Sequence, residues 1–409
     1  MPSQEILRKY SDLLLEVGLG FKKGQKLLVS ADSIHLPYLA QFAERAYELG
    51  AAFVDVQASY DPITKARLEK SDEAYLDQTC DYEKARMEDI KNNDWATIRF
   101  DGSADPDILN SVDQERSKKW NLAQRQLRSS LLQELGAHRM PWCVASLPTP
   151  GWAAKVFGGE PSEEKAEALW ELLIPILRLD KDNPVAYWQE HAKNLQQKAE
   201  SYNQKNFVEL SFQAPGTDFK VTLADGTCWA GGGTATPGGQ AFVANIPTEE
   251  IFSSPHWAKT EGRLQVTRPV HVLNGVVEGA FFEFKNGRVE NYGAKSGQEQ
   301  LDNFFAIDER ARFAGEIALV DVSSPIFQCG KMLHSILFDE NAACHLALGA
   351  AYPLGYEHSE ISSESLQELG FNQSILHTDF MSGSNELKIL AKDKGGQEHL
   401  VMDQGRFQF

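Results

Sequence analysis

The segment 337–353 places four reactive side chains in an otherwise apolar stretch, LFDENAACHLALGAAYP. They are the acid pair Asp339 and Glu340, the imidazole of His345 and the phenol of Tyr352. Burying charged and imidazole groups among apolar residues is costly unless another group pairs them. A divalent metal ion would pair them, so the segment suggests one part of a metal site.

Three further polar clusters with the same character lie in the second half of the chain. Glu250 ends the motif PTEE, Glu316 opens the apolar run EIALVDV, and His377 stands two residues before Asp379. In a β-strand, residues two apart share one face at about 6–7 Å between Cα atoms, so this pair can hold one ion or two adjacent ions. Each cluster alone is also compatible with a structural role, as an edge carboxylate, a core histidine or a surface turn.

Six of these residues together form a set of oxygen and nitrogen ligands without a thiolate. Such ligands suit zinc, cobalt or manganese. One tetrahedral ion takes four ligands, so six candidates suit two ions about 3.5–4 Å apart that share a carboxylate. The candidate ligands are Glu250, Glu316, Glu340, His345, His377 and Asp379.

The first half of the chain alternates strand and helix patterns. Short apolar runs such as KLLVS are typical of buried parallel strands, and Gly50 is suited to end the helix that follows the first of them. Neither GxGxxG nor GxxxxGK[ST] follows the first strand, so no nucleotide site is predicted. We predict an α/β N-terminal domain with a mostly parallel sheet over residues 1–204. The predicted strands are 26–30, 52–57, 95–100 and 142–147, and the predicted helices are 36–49, 117–135 and 163–178.

Beyond a polar helical stretch at 188–206, apolar and polar residues alternate between turn sequences. Such alternation is typical of antiparallel strands with one solvated face, and the Asn286-Gly287 pair predicts a two-residue hairpin turn. We predict an α+β C-terminal domain with a mostly antiparallel sheet over residues 205–409, which carries the metal site and catalysis. The predicted strands are 206–212, 219–223, 263–266, 276–284 and 288–292, with helices around 297–304 and 335–337.

Composition and charge exclude several classes of function. The chain has 409 residues, of which 42% are hydrophobic and 24% charged, as expected for a globular protein of two domains. A formal net charge of −18 argues against a nucleic-acid partner and against an anionic membrane surface, since both need clustered Lys and Arg.

Cysteine usage and the N-terminus suggest where the protein resides. The five cysteines are scattered and form no CxxC pair, which favours a reducing compartment. The first 20 residues form an amphipathic pattern that Glu16 interrupts, and they match neither a signal sequence nor a membrane span. We therefore expect a cytoplasmic protein without a membrane partner. His358, in the polar stretch EHSE, is predicted to be a solvated side chain.

Four blocks in the second half resemble the signatures of a known family. They follow in order along the chain, and together they look like the aminopeptidase T, aminopeptidase S and aminopeptidase II family of dinuclear metallo-aminopeptidases. The segment after Glu250 departs from the family pattern because it lacks an arginine-rich run. The blocks are NIPTEEIFSSPH (245–256), RFAGEIALV (312–320), LFDENAACHLALGAAYP (337–353) and HTDFMSGS (377–384).

The resemblance implies roles for individual residues. Two divalent ions per chain are expected, zinc or cobalt, with manganese or magnesium as alternatives. Glu340 is a ligand or an acid that orients His345, and either Glu316 or Glu340 is the general base. The phenol of Tyr352 is expected to stabilise the tetrahedral intermediate or its leaving group. The other ligands implied are Glu250, Glu316, His345, His377 and Asp379.

The resemblance also implies an activity and an assembly. We expect a metal-dependent aminopeptidase that releases N-terminal amino acids from short peptides, using a water activated by two metal ions. A homodimer with a partly enclosed site is expected, which would exclude folded proteins. One alternative is a dinuclear metal hydrolase of another amide or ester bond, although the scarcity of Lys and Arg near the four blocks disfavours a phosphoester. The other is a non-catalytic metal-binding protein, which the presence of every expected ligand disfavours.

Overall fold

The computed structural model describes residues 2–356 and 361–409, so the prediction for His358 lies outside the described residues. The described chain divides into two compact units. The first contains the chain up to Glu190 together with Gly233–Ile246, and the second contains His191–Gly232 and Pro247–Phe409. The predicted division into residues 1–204 and 205–409 stays a prediction.

The first unit is built on a four-stranded parallel sheet, as the alternation of strands and helices predicts. The strand order is β2-β1-β3-β4, and every neighbouring pair is parallel. Gly50 follows the second α-helix with φ of 94°, a conformation that favours glycine. Numbered along the chain, the strands are β1 (Lys26–Asp32), β2 (Phe53–Ser59), β3 (Trp95–Asp101) and β4 (Trp142–Ser146), with a small antiparallel pair β8 (Thr234–Ala235) and β9 (Ala241–Phe242).

The helices of the first unit are amphipathic to different degrees and connect these strands. Four of them begin with a capping side chain, such as Ser162, which accepts from the backbone of Lys165. The α-helices are Gln4–Leu13, Leu36–Glu48, Asp61–Lys70, Asp81–Asn92, Gln114–Gly136, Pro150–Phe157 and Glu163–Ile176, with single turns at Leu14–Gly18, Ser33–His35 and Glu73–Tyr75. Helix Pro184–Lys205 contains residues of both units.

The larger sheet of the second unit has eight strands, and all of its pairings are antiparallel. The predicted hairpin is confirmed, because Asn286 and Gly287 have φ of 51° and 83° between β14 and β15. The strands are β5 (Phe207–Ala214), β6 (Thr217–Leu223), β11 (Pro255–Gln265), β14 (Phe281–Lys285), β15 (Arg288–Gly293), β19 (Lys388–Asp393), β20 (Glu398–Asp403) and β21 (Arg406–Phe407).

One predicted strand is wrong in its extent. Residues 276–284 form two strands instead of one, because Gly279 has φ of 60° and turns the chain between them. The first part, β13 (Gly275–Val277), pairs with β12 (Val270–Val272) in a separate two-stranded sheet.

The second sheet of this unit has five strands in the order β18-β17-β16-β10-β7, again with antiparallel pairings. β16 and β17 are buried along their whole length. Both sheets contribute side chains to one hydrophobic core, which fixes the five-stranded sheet on that side. The strands are β7 (Ala230–Gly231), β10 (Glu250–Ser253), β16 (Ala314–Val320), β17 (His345–Gly349) and β18 (His377–Met381).

Short helices complete the second unit. Its α-helices are Gln298–Ile307, Pro325–Cys329, Ile336–Asp339 and Ser363–Glu368, with 3₁₀ turns at Glu309–Arg312 and Glu340–Ala342. Among the residues described, no helix is both long and apolar enough to cross a membrane. An α/β first half with a parallel sheet and an α+β second half with antiparallel sheets confirm the predicted fold class.

Candidate metal centre

The register of the five-stranded sheet brings together residues that are far apart in sequence. Ala347 of β17 stands between Glu316 of β16 and Asp379 of β18. His345 lies two residues before Ala347, and His377 lies two residues before Asp379, so all four polar side chains belong to one face of the sheet. Strand pairing therefore brings these side chains together, which sequence spacing alone could not establish.

Glu250 joins this face from the neighbouring strand. It is the first residue of β10 and stands opposite Val320, which is four residues beyond Glu316 on β16. Ligand atoms of Glu250, Glu316 and His345 all lie within 4.8 Å of one another, and all three residues are buried. Ligands of one ion bound at about 2.1 Å lie about 3–4 Å apart, so small side-chain adjustments would let these three share an ion.

His345 lies at the centre of the cluster, and its side chain is only 1% exposed. Its Nε2 atom lies 3.4 Å from Glu250 Oε2, 3.6 Å from Glu316 Oε1 and 3.9 Å from Asp379 Oδ1. Its Nδ1 atom lies 3.1 Å from the carbonyl oxygen of Ala343. That carbonyl accepts the Nδ1 proton, so the ring is oriented with Nε2 towards the carboxylates.

His377 repeats this arrangement at the edge of the cluster. Its Nδ1 atom lies 2.8 Å from the carbonyl oxygen of Ala350, and its Nε2 atom lies 3.4 Å from Asp379 Oδ1 and 3.9 Å from Glu316 Oε2. Glu316 thus presents one oxygen to each histidine. Both imidazoles have the orientation that metal-binding histidines take, with one nitrogen held by the backbone.

The hydrogen bonding of two carboxylate oxygens indicates whether the cluster suits a cation. Glu250 Oε2 and Asp379 Oδ1 are buried, and neither has a hydrogen-bond partner among residues 2–356 and 361–409. A buried carboxylate oxygen without a donor carries a large desolvation cost. A divalent cation would remove this cost, so the donor set fits a metal ion.

The pKa values of the histidines reflect the surrounding negative charge. Burial lowers the pKa of His345, but the nearby carboxylate of Glu316 and the charges of Glu250 and Asp379 outweigh burial and raise the pKa to about 10. For His377, burial again opposes the charged form, and the nearby carboxylates of Asp379 and Glu316 raise the pKa to about 10. Without metal, both imidazoles are therefore protonated at neutral pH.

The pKa values of the carboxylates are shifted in opposite directions. Burial, together with the charges of neighbouring carboxylates, raises the pKa of Glu250 and raises that of Glu340 well above its usual range. Burial acts in the same sense on Asp379, but the close approach of His377 and the charges of both histidines lower its pKa. Asp379 is thus ionised while Glu250 and Glu340 retain protons more readily.

Glu340 and Tyr352 lie beside the sheet rather than on it. Glu340 begins a 3₁₀ turn and interacts electrostatically with Glu250, Asp379 and His345. The ring of Tyr352 lies 5.2 Å from that of His377 between centroids. The residue is half exposed, yet desolvation of its hydroxyl and the charge of Glu316 raise the pKa of the phenol, which keeps it a proton donor at neutral pH.

Two residues of segment 337–353 have contacts that sequence reasoning did not predict. Both oxygens of Asp339 accept backbone hydrogen bonds, from Leu333 at 2.7 Å and Ser335 at 3.1 Å, so it holds the start of a short helix. Asn341 is fully buried and contacts Glu340. In the sequence Asn341 lies between the candidate ligands Glu340 and His345, and that position was the available indication of its role. No such indication exists in the sequence for the carbonyls of Ala343 and Ala350, because every residue has a carbonyl.

Comparisons with known proteins agree with the resemblance of the four blocks. A family model described as thermophilic metalloprotease (M29) matches residues 3–407. Aminopeptidase 2 of Geobacillus stearothermophilus is 35% identical over 404 residues, which cover 98% of each chain. Aminopeptidase T of Thermus aquaticus is 35% identical over 403 residues, again covering 98% of each chain. A solved structure of wild-type AmpT from Thermus thermophilus has a TM-score of 0.90 and 33% identity, covering 99% of this chain and 100% of that one.

Metal binding should release protons from this site. Because the pKa values of His345 and His377 lie near 10 and those of Glu250 and Glu340 are raised, the metal-free site holds protons at pH 7 that metal ligation must displace. We expect release of about two or more protons and an affinity for Zn²⁺ that rises as pH increases from about 6 to 9. Calorimetry in buffers with different ionisation enthalpies measures this number.

A histidine outside the cluster provides the control for this titration. His399 pairs with Asp393 at 2.8 Å on the edge of the larger sheet, and His399→Asn should leave both the proton count and the pH dependence unchanged. Binding without proton release would mean that the two imidazoles are neutral in the metal-free protein.

Proposed function

The chain belongs to the family of thermophilic metalloproteases (M29), and from this membership and its buried carboxylate–imidazole cluster we infer that it is a metal-dependent aminopeptidase. The cluster carries the inference, because its orphaned oxygens and oriented histidines fit a divalent metal. The relatives reported above are named aminopeptidases, which favours peptide-bond hydrolysis at a free N-terminus over another amide or ester bond.

We propose that the site holds two metal ions rather than one. The support is the position of Glu316, whose Oε1 faces His345 at 3.6 Å and whose Oε2 faces His377 at 3.9 Å. A carboxylate that serves two histidines through different oxygens suits a bridging ligand. Glu250 and His345 would complete one side of this bridge, and His377 and Asp379 the other, with Glu340 as a further ligand or as an acid beside them.

The donor set also limits which metals are suitable. Two imidazole nitrogens and several carboxylate oxygens, with no thiolate among the proposed ligands, suit borderline cations. We propose zinc or cobalt, with manganese or magnesium as alternatives. Bound there, such ions would lower the pKa of a coordinated water and polarise the scissile carbonyl.

The chain's own side chains account for the proton transfers. Glu340, or alternatively Glu316 with only one of its oxygens on metal, would accept the proton of the attacking water and pass it to the leaving amine. The Tyr352 hydroxyl is protonated at neutral pH, as an ordinary phenol is, and its raised pKa acts in the same direction, so it would donate a hydrogen bond to the developing oxyanion or to the leaving group. The substrate's free α-amino group would meet a carboxylate or a metal ion, which restricts cleavage to the first residue.

Substrates and location follow from the same site. We propose short peptides as substrates and a cytoplasmic location. The cluster is largely buried, which supports the restriction to chains that can enter it. The scattered cysteines support a reducing compartment.

Removing metal should abolish activity. After dialysis against a strong chelator, hydrolysis of an amino-acyl chromogenic amide should fall to background, and Zn²⁺ or Co²⁺ should restore it, because the proposed activation of water needs the metal that the carboxylates and imidazoles of the cluster would hold. Circular dichroism checks that the fold persists. Full activity after verified metal removal would contradict the proposal.

Tyr352→Phe should lower kcat about 10²–10³-fold and leave metal content unchanged, because one hydrogen-bond donor to an oxyanion contributes about this much. Steady-state kinetics and elemental analysis measure the two quantities. Tyr356→Phe is the matched control, since the Tyr356 hydroxyl donates to the Asp225 carbonyl at 3.3 Å, outside the cluster. Loss of metal from Tyr352→Phe would instead assign that phenol a structural role.

We further propose that the protein is a homodimer, for which the family resemblance is the support. Sedimentation equilibrium should give twice the chain mass of 45.6 kDa, independent of bound Zn²⁺. A single species at the chain mass across micromolar concentrations contradicts this proposal without affecting the metal site.

A further inference from the structure

Asn341 is a fully buried polar residue in the second unit that the proposed mechanism does not use. Its Oδ1 atom accepts a hydrogen bond from the backbone N–H of Glu249 at 2.7 Å. Its Nδ2 atom donates to the carbonyl oxygen of Leu337 at 3.2 Å and contacts Glu340 Oε1 at 3.4 Å. One side chain thus meets the residue before Glu250 and the carboxylate of Glu340.

The orientation of this amide is determined by its partners. Its NH₂ group faces two acceptors, the Leu337 carbonyl and the Glu340 carboxylate, whereas its oxygen faces the Glu249 N–H. Turning the amide over would place an oxygen against two acceptors and an NH₂ group against a donor. The Ser324 hydroxyl also donates to the Asn341 carbonyl at 3.3 Å, which holds the backbone at the same point.

The two contacts reach parts of the site that no strand pairing connects. Glu250 begins β10, whereas Glu340 lies in a 3₁₀ turn outside the five-stranded sheet. The Asn341 side chain contacts the Glu340 carboxylate at 3.4 Å and also accepts from the peptide N–H beside Glu250 at 2.7 Å, so one buried amide links the two parts.

We propose that Asn341 is a positioning residue that sets Glu250 and Glu340 at their required separation for metal binding. The proposal rests on the metal site proposed above. Residues that hydrogen-bond to metal ligands and orient them contribute about 10–100-fold to metal affinity. Asn341 acts through the two glutamates and touches neither metal nor substrate in this account.

The test compares Asn341→Ala with a matched asparagine. Asn203, in the same unit, also makes two backbone hydrogen bonds, donating to the Trp229 carbonyl at 3.0 Å and accepting from its N–H at 2.7 Å. Zn²⁺ affinity is measured by competition with a chromogenic chelator. Asn341→Ala should weaken it about 10–100-fold, whereas Asn203→Ala should change it less than about twofold, although both variants lose hydrogen bonds.

A double-mutant cycle then tests the route of action. If Asn341 works through Glu340, adding Asn341→Ala to Glu340→Ala should weaken Zn²⁺ binding at least about threefold less than it does in the wild-type protein. Additive effects of the two changes would overturn this route. Should Asn341→Ala fail to fold, Asn341→Ser keeps a hydroxyl in the space and carries the same expectation.

The outcomes separate this inference from the proposed function. If the wild-type protein binds Zn²⁺ and Asn341→Ala binds it equally well, Asn341 is not a positioning residue and the metal site stands. If the wild-type protein binds none of Zn²⁺, Co²⁺, Mn²⁺ and Mg²⁺, the proposed function itself fails, and the inference fails with it.

Discussion

Four carboxylates share one desolvated site, and their mutual repulsion is the constraint on which the rest of the second unit depends. Coulomb interactions link Glu250, Glu316, Glu340 and Asp379, and burial removes the water that would screen them. Protonated His345 and His377 offset part of this charge. Two buried oxygens, Glu250 Oε2 and Asp379 Oδ1, still have no hydrogen-bond donor among the described residues, and the divalent metal that the family implies would offset their charge.

Such a site requires a rigid frame, which the five-stranded sheet supplies. Its central strands are buried along their whole length, and Ile317 and Leu346, which stand next to the proposed ligands Glu316 and His345, point into the hydrophobic core. Alternation along a strand thus places apolar residues on the face opposite the proposed ligands. A shift of one residue in register would exchange the two sets, burying the proposed ligands in the core and exposing core residues. The same packing therefore stabilises the fold and selects the register that assembles the site.

The sequence predicted much of this arrangement where side-chain type determines it. Parallel strands in the first unit, the Asn286-Gly287 hairpin and the His377–Asp379 spacing all follow from local patterns. The break at Gly279 was missed because apolar alternation continues across it. The groups that contact the proposed ligands and orient them were harder to predict. The backbone carbonyls that orient the histidines leave no trace in residue type, and the partners of Asn341 are set by tertiary contacts rather than by spacing.

Solvent exposure increases across the cluster, from His345 through His377 to Tyr352. The side chain of His345 is 1% exposed and that of His377 is 24% exposed, while Tyr352 is 51% exposed. Contact with solvent is thus greatest at Tyr352 and least at His345. The residue proposed to stabilise the oxyanion is therefore the most exposed of the three, and His345, a proposed metal ligand, is the least exposed.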